Sequence, residues 1–140
     1  MAYFHDDGVF DVPLETIWKY MNDQHGAHGH SMIASQKVVE QKGNQVKMEI
    51  QVRNPKGGTE RQVWLLTMDP PFDWEMEFIE GSWKGTKHTH TYVPMGNKTK
   101  VVVAGDFRIA GLSEADTVKA ARDFFAKVFE EDSANLRKFK

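Results

Sequence analysis

The sequence predicts an α+β fold: a curved antiparallel sheet of about seven strands wrapped around a long C-terminal helix, with two short helices after the first strand. Three observations carry this prediction. Residues 46–53, "VKMEIQVR", alternate apolar and polar with period two, the mark of a strand with one dry and one wet face. Short turn signals such as "NPKGG" (54–58) and "MGNK" (95–98) separate the apolar runs, which suits hairpins better than crossover helices. After residue 113 the period changes to that of a helix and stays so almost to the end of the chain.

Taken in order, "YFHDDGVFDV" (3–12) reads as a first strand, with Phe4, Phe10 and Val12 on one parity. Pro13 stops it and opens a helix over 13–23, whose Leu14, Ile17, Trp18 and Met21 share a face. Gly26 and Gly29 break that helix and leave 24–33 as a loop or a distorted second short helix. Strands are then expected at 35–42, 46–53, 59–68, 73–81, 82–94 and 99–109, nearly all joined by short turns. Ser113, with Asp116 three residues on, is a capping-box-like start for a helix over 113–139. Val118, Ala121, Phe125, Val128 and Phe129 form its apolar stripe. At 1.5 Å per residue it extends roughly 40 Å, enough to cross the dry face of the sheet.

The 140 residues suit one domain, 1–140, with no repeat or linker. Such a chain buries roughly two-thirds of its unfolded surface and needs no staples. Hydrophobic residues are 40% and charged residues 27%, and the net charge is -2. That balance lacks the basic footprint of a nucleic-acid binder. No apolar run reaches the ~20 residues that span a bilayer, and "MAYFHDDGVF" is unlike a signal peptide. With no cysteine, disulfides, thiolate metal sites and cysteine nucleophiles are excluded. The expectation is a cytoplasmic protein, monomer or dimer.

The order of elements resembles the helix-grip fold of the START-like (SRPBCC) superfamily, including its polyketide cyclase/dehydrase and lipid-transport-like group. "VFDVPLETIWKYMND" is similar to the family's first strand, proline and tryptophan-containing helix. "VVEQKGNQVKMEI" looks like its first hairpin, "LTMDPPFDWEMEFIEG" like its strand–ProPro–strand element, and "TYVPMGNKTKVVVAGDF" like its last hairpin. None of these is a catalytic motif. The resemblance implies a cavity between sheet and long helix that takes up an apolar small molecule or lipid-like ligand. It nominates Met48, Ile50, Trp64, Leu66, Phe78, Phe125 and Phe129 as wall residues and implies no cofactor. Strand 63–68 is apolar on both parities, so Trp64 and Leu66 compete with Val63 and Leu65 for the inner face.

The polar candidates are few. His88 and His90, two apart on a strand, share a face; turned inward, they would line the cavity and orient a ligand or move protons. They are therefore candidate cavity residues. Lys84, Thr86 and Tyr92 lie on their parity and Trp83, Thr89, Thr91 and Val93 on the other, and this alternation favours an outward face. "DQHGAHGH" (23–30) offers His25, His28 and His30, with Asp23, as minority candidates for a metal. Its glycines argue instead for a loop at the cavity rim. His5 and Asp7 share a face of the first strand and could join another histidine in a composite site, although a solvated edge explains them more simply. Glu75 and Glu77 share a face of 73–81, opposite Trp74, Met76 and Phe78. Binding of a hydrophobic ligand is the first functional reading. A cyclase/dehydratase-type enzyme using cavity histidine or glutamate as general acid and base is the alternative, and metal binding by the histidine-rich loop is the third.

Overall fold

A computed structural model describes residues 2–23, 29–54 and 56–139. Strand β1 (Ala2–Phe10) is followed by helix α1 (Leu14–Met21), then by strands β2 (Ile33–Lys42), β3 (Gln45–Arg53), β4 (Thr59–Asp69), β5 (Asp73–Glu80), β6 (Lys87–Met95) and β7 (Lys98–Phe107), and by helix α2 (Glu114–Lys138). The strands form one seven-stranded sheet in the order β1-β7-β6-β5-β4-β3-β2. Every pairing in it is antiparallel. β2 to β7 are thus a meander, as short turns require, and β1 closes against β7. The architecture is α+β and of helix-grip type.

Register shifts at Ile33/Ser35, Val38/Glu40 and Val63/Trp64 interrupt the ladders. Such irregularities bend and twist a strand, and the sheet curves around α2. The helix packs on β1 and β7. Ser113 caps it as its sequence suggests, accepting a hydrogen bond from the Asp116 amide at 3.1 Å. The helix buries Ala121, Phe125 and Leu136 in the core that also holds Phe4 and Phe107. Phe125 stacks on Phe4 at 6.1 Å between centroids and meets Phe107 edge-on at 5.7 Å.

Two glycines decide how closely elements approach. A Cβ on Gly8 would lie 2.5 Å from Cε2 of Phe129, so the bare backbone of β1 gives that ring its seat on α2. A Cβ on Gly105 of β7 would lie 2.6 Å from the Cβ of His88, its ladder partner on β6.

Several boundaries differ from the sequence expectation. β1 ends at Phe10 instead of Val12, and the Val12 carbonyl accepts a hydrogen bond from the Thr99 hydroxyl at 2.9 Å. Among the described residues one helix, not two, separates β1 from β2, and 29–32 are loop. Residues 82–86 precede β6 as turn and coil, and their Gly85 has φ 92°. No helix among the described residues is long and apolar enough to cross a membrane.

Candidate functional site: a cavity between sheet and helix

Because α2 packs on β1 and β7, the inner face of the middle strands is left partly uncovered. A cavity of about 400 Å³ lies there. Its wall is mostly apolar: Met48, Trp64, Leu66, Met76, Val101 and Val103 from the sheet, Phe124, Phe125, Val128 and Phe129 from α2. On β4 it is Trp64 and Leu66 that face inward. Among the sequence candidates, Met48, Trp64, Leu66, His88, His90, Phe125 and Phe129 line this space. Ile50 and Phe78 are not among its lining residues. Both are on the inner face but are sealed in the core, at 0% and 2% exposure. Phe78 is covered by Trp83, stacked at 5.6 Å, and by Trp64 at 5.4 Å.

The outward orientation expected for His88 and His90 is corrected. Thr86, His88, His90 and Tyr92 are all buried on the inner face. The parity count failed because it ran through 82–86, where the chain turns. Trp83 reaches the core from that turn, so its dryness says nothing about Thr89 or Thr91.

His88 sits among aromatic rings. Phe125 meets it edge-on at 5.1 Å and Phe107 stacks on it at 5.8 Å. Neither ring nitrogen has a hydrogen-bond partner among the described residues. Burial alone pushes its pKa down to about 3, so the imidazole is neutral near pH 7. His90 stacks on Trp74 with centroids 4.0 Å apart. Trp74 donates its indole N–H to the Tyr92 hydroxyl at 2.9 Å. The Tyr92 hydroxyl in turn points to the Met21 sulfur at 4.0 Å, a weak acceptor. Burial pushes the Tyr92 phenol up; the Trp74 hydrogen bond opposes this and the Asp132 charge adds to it.

The α1 end of the cavity is polar. His30 faces Glu131 through Nδ1 at 3.0 Å and Asp132 through Nε2 at 3.4 Å. The Ser31 hydroxyl donates to Glu131 at 2.6 Å, and the Tyr20 hydroxyl donates to Asp132 at 2.6 Å. Asn135 of α2 donates to the Gly29 carbonyl at 3.0 Å. Partial burial raises the Glu131 pKa, but hydrogen bonds from Ser31 and His30 together outweigh it and leave the carboxyl below its ordinary value. The end of "DQHGAHGH" is therefore fastened to α2. His30 and Asp132 both line the cavity, a role for Asp132 that no local sequence signal announced.

His25 and His28 lie outside the described residues, so the three-histidine metal set is not placed. Among the described residues no group of three or more His, Asp or Glu side chains is arranged to hold a metal ion. Asp6 and Asp7 border the cavity, and His5 is not among its lining residues. Glu75 and Glu77 lie on the outer face, where Glu75 pairs with Lys87 at 3.4 Å.

A curved antiparallel sheet gripping a C-terminal helix around an apolar cavity is the START-like fold. In sequence, the model of the family described as polyketide cyclase/dehydrase and lipid transport matches residues 1–138, and the chain belongs to that family. No curated protein matches the chain in sequence. In structure, it is similar to a START superfamily protein from Mycobacterium smegmatis, with TM-score 0.84, 11% identity and 99% of each chain covered. It is also similar to the di-domain aromatase/cyclase StfQ of the steffimycin biosynthetic pathway, with TM-score 0.77 and 12% identity; 99% of this chain covers 50% of that one. The ZhuI aromatase/cyclase from Streptomyces sp. R1128 follows, with TM-score 0.67, 14% identity and coverage of 95% of this chain and 87% of that chain. At these identities the likeness is one of fold.

Proposed function

We propose that the chain takes up a hydrophobic small molecule or lipid-like ligand in the cavity between sheet and α2. One observation carries the reading: about 400 Å³ of space, walled mainly by apolar side chains, is bordered by a few polar groups at its ends. That is the usual design of a small-molecule site. A ligand burying about 200 Å² of apolar surface would gain about 5 kcal/mol before the costs of association.

General acid–base catalysis of the cyclase/dehydrase kind is the second reading, and the inward imidazoles of His88 and His90 favour it. Against it, a His88 pKa of about 3 makes that ring a weak base. The paired carboxylates Glu75 and Glu77 are on the wrong face for a cavity reaction. Binding is the function the geometry supports better.

The test is uptake of a neutral solvatochromic dye such as Nile red by the untagged protein and by Leu66→Trp. Leu66 is a half-buried wall residue, so an indole there fills the cavity without opening the core. Saturable, blue-shifted emission that weakens at least about tenfold in Leu66→Trp, with an unchanged melting temperature, is the expected result. Equal uptake by the two proteins would place the dye elsewhere and overturn the reading.

A further inference from the structure

We infer that the cavity selects an uncharged ligand bearing a hydrogen-bond acceptor, such as a ketone, aldehyde or ester, and rejects carboxylate-ended lipids of the same shape. This rests on the cavity-binding reading above and adds the chemical class of the ligand.

The first support is the charge of the wall. Among the described residues no lysine or arginine lines the cavity, whereas Asp6, Asp7 and Asp132 do. Arg53, on β3, directs Nη1 to the carbonyls of Ser31 and Ile33 at 2.7 and 2.8 Å. Among the described residues, His30 faces two carboxylates, Glu131 and Asp132. Counted over the described residues, that end carries more carboxylates than cationic groups even with His30 protonated. A ligand carboxylate would lose its hydration and meet like charge, with no lysine or arginine among the described lining residues to compensate it.

The second support is the Tyr92 hydroxyl. Its oxygen already accepts the Trp74 N–H at 2.9 Å, so what it offers a ligand is its proton. The acceptor that now faces that proton is the Met21 thioether at 4.0 Å, a poor partner that a carbonyl oxygen would replace at a gain. Burial and the nearby Asp132 charge keep the phenol protonated. The Trp74 bond polarises the hydroxyl and makes it a better donor. Tyr92 and Met21 both line the cavity, so the donor and the space for the apolar body of the ligand are contiguous.

Three probes of nearly one shape separate the possibilities: 2-isopropenylnaphthalene, 2-acetonaphthone and 2-naphthoate. Equilibrium dialysis at about pH 8 measures each against the wild-type chain and Tyr92→Phe. The ketone is expected to bind at least about tenfold tighter than the carboxylate. It should exceed the hydrocarbon by about three- to tenfold, the size of one net hydrogen bond. Tyr92→Phe should abolish the advantage of ketone over hydrocarbon. Naphthoate binding as tightly as the ketone, with the hydrocarbon also bound, would overturn the charge selectivity and leave the cavity reading intact. Retention of none of the three would overturn the cavity reading itself. The wild-type ratio of ketone to naphthoate decides the matter even if Tyr92→Phe fails to fold.

Discussion

His88 should make this protein acid-sensitive over a defined range, and the size of the effect follows from its burial. The ring is 2% exposed and its pKa is held at about 3, against 6.5 for an ordinary histidine. The unfolded chain therefore binds a proton below about pH 6.5 that the folded chain refuses. Stability rises with pH wherever the unfolded state holds more protons. The loss begins as pH falls through 6.5, grows by about 1.4 kcal/mol per pH unit, and levels off near pH 3. Between pH 7.5 and 5.5 it amounts to about 1.4 kcal/mol, and by pH 4.5 to about 2.7 kcal/mol. His88→Phe removes the titration while keeping a planar ring among Phe107, Phe125 and Trp74. It also removes two buried polar atoms without partners, so at pH 7.5 the variant should be as stable as wild type or more so. Urea unfolding of both proteins at pH 7.5, 6.5, 5.5 and 4.5 measures the gap. The difference must widen in favour of the variant as pH falls. A difference that stays constant with pH would refute the claim that the folded state keeps His88 neutral.

Gly8→Ala should destabilise by about 1–2 kcal/mol, because the new methyl must displace the Phe129 ring. A double-mutant cycle with Phe129→Leu in thermal melts should recover most of that loss, and simple additivity would disprove the contact. Ser113→Ala should cost about 1 kcal/mol by loss of the α2 cap, read as a lower urea midpoint. Glu131 has a folded pKa below its ordinary 4.5, so its contribution is complete above that value and disappears as pH falls through the folded one. Wild type should be more stable than Glu131→Gln at neutral pH and lose that advantage as the carboxyl protonates in acid; parallel melting curves would contradict this. Glu75→Gln and Glu77→Gln should leave ligand uptake unchanged, since both side chains are outside the cavity; a loss in a dye titration would restore them as candidates for cavity chemistry.

The strands, their meander order and the capped C-terminal helix were legible because local rules determine them. Alternation identifies a strand, a Gly-containing turn sets a hairpin, and Ser113 starts a helix. Contacts distant in sequence left no such trace. His30 is 101 residues from Glu131, and nothing in "DQHGAHGH" says that α2 will hold its last histidine. Gly8 did leave a faint signal, as a lone glycine on the inner parity of a strand. It marks the close approach of Phe129, which the apolar stripe of α2 could not locate. Ile50 and Phe78 share the inner face with the cavity residues, yet the position of α2 and of Trp83 decides which part of that face stays open.

The reversed face of β6 has a physical reason beyond a miscounted turn. Alternation says which residues share a face but not which face is the inner one, and hydropathy is the usual arbiter. On β6 hydropathy points the wrong way, because His88, His90 and Tyr92 are buried while Val93 is exposed. Burying His88 without a partner opposes folding by about 1–3 kcal/mol. The strand accepts that cost because its neighbours leave one arrangement. Gly105 on β7 clears the space beside His88, and Trp74 on β5 offers its face to His90 and its N–H to Tyr92. A conflict between local pattern and tertiary placement is expected at a functional site more than elsewhere. Here it falls on the strand that brings His88, His90 and Tyr92 to the cavity wall. The failure of the hydropathy rule thus points to the same place as the cavity geometry, and it makes the inner face of β6 the first place to look for ligand contacts.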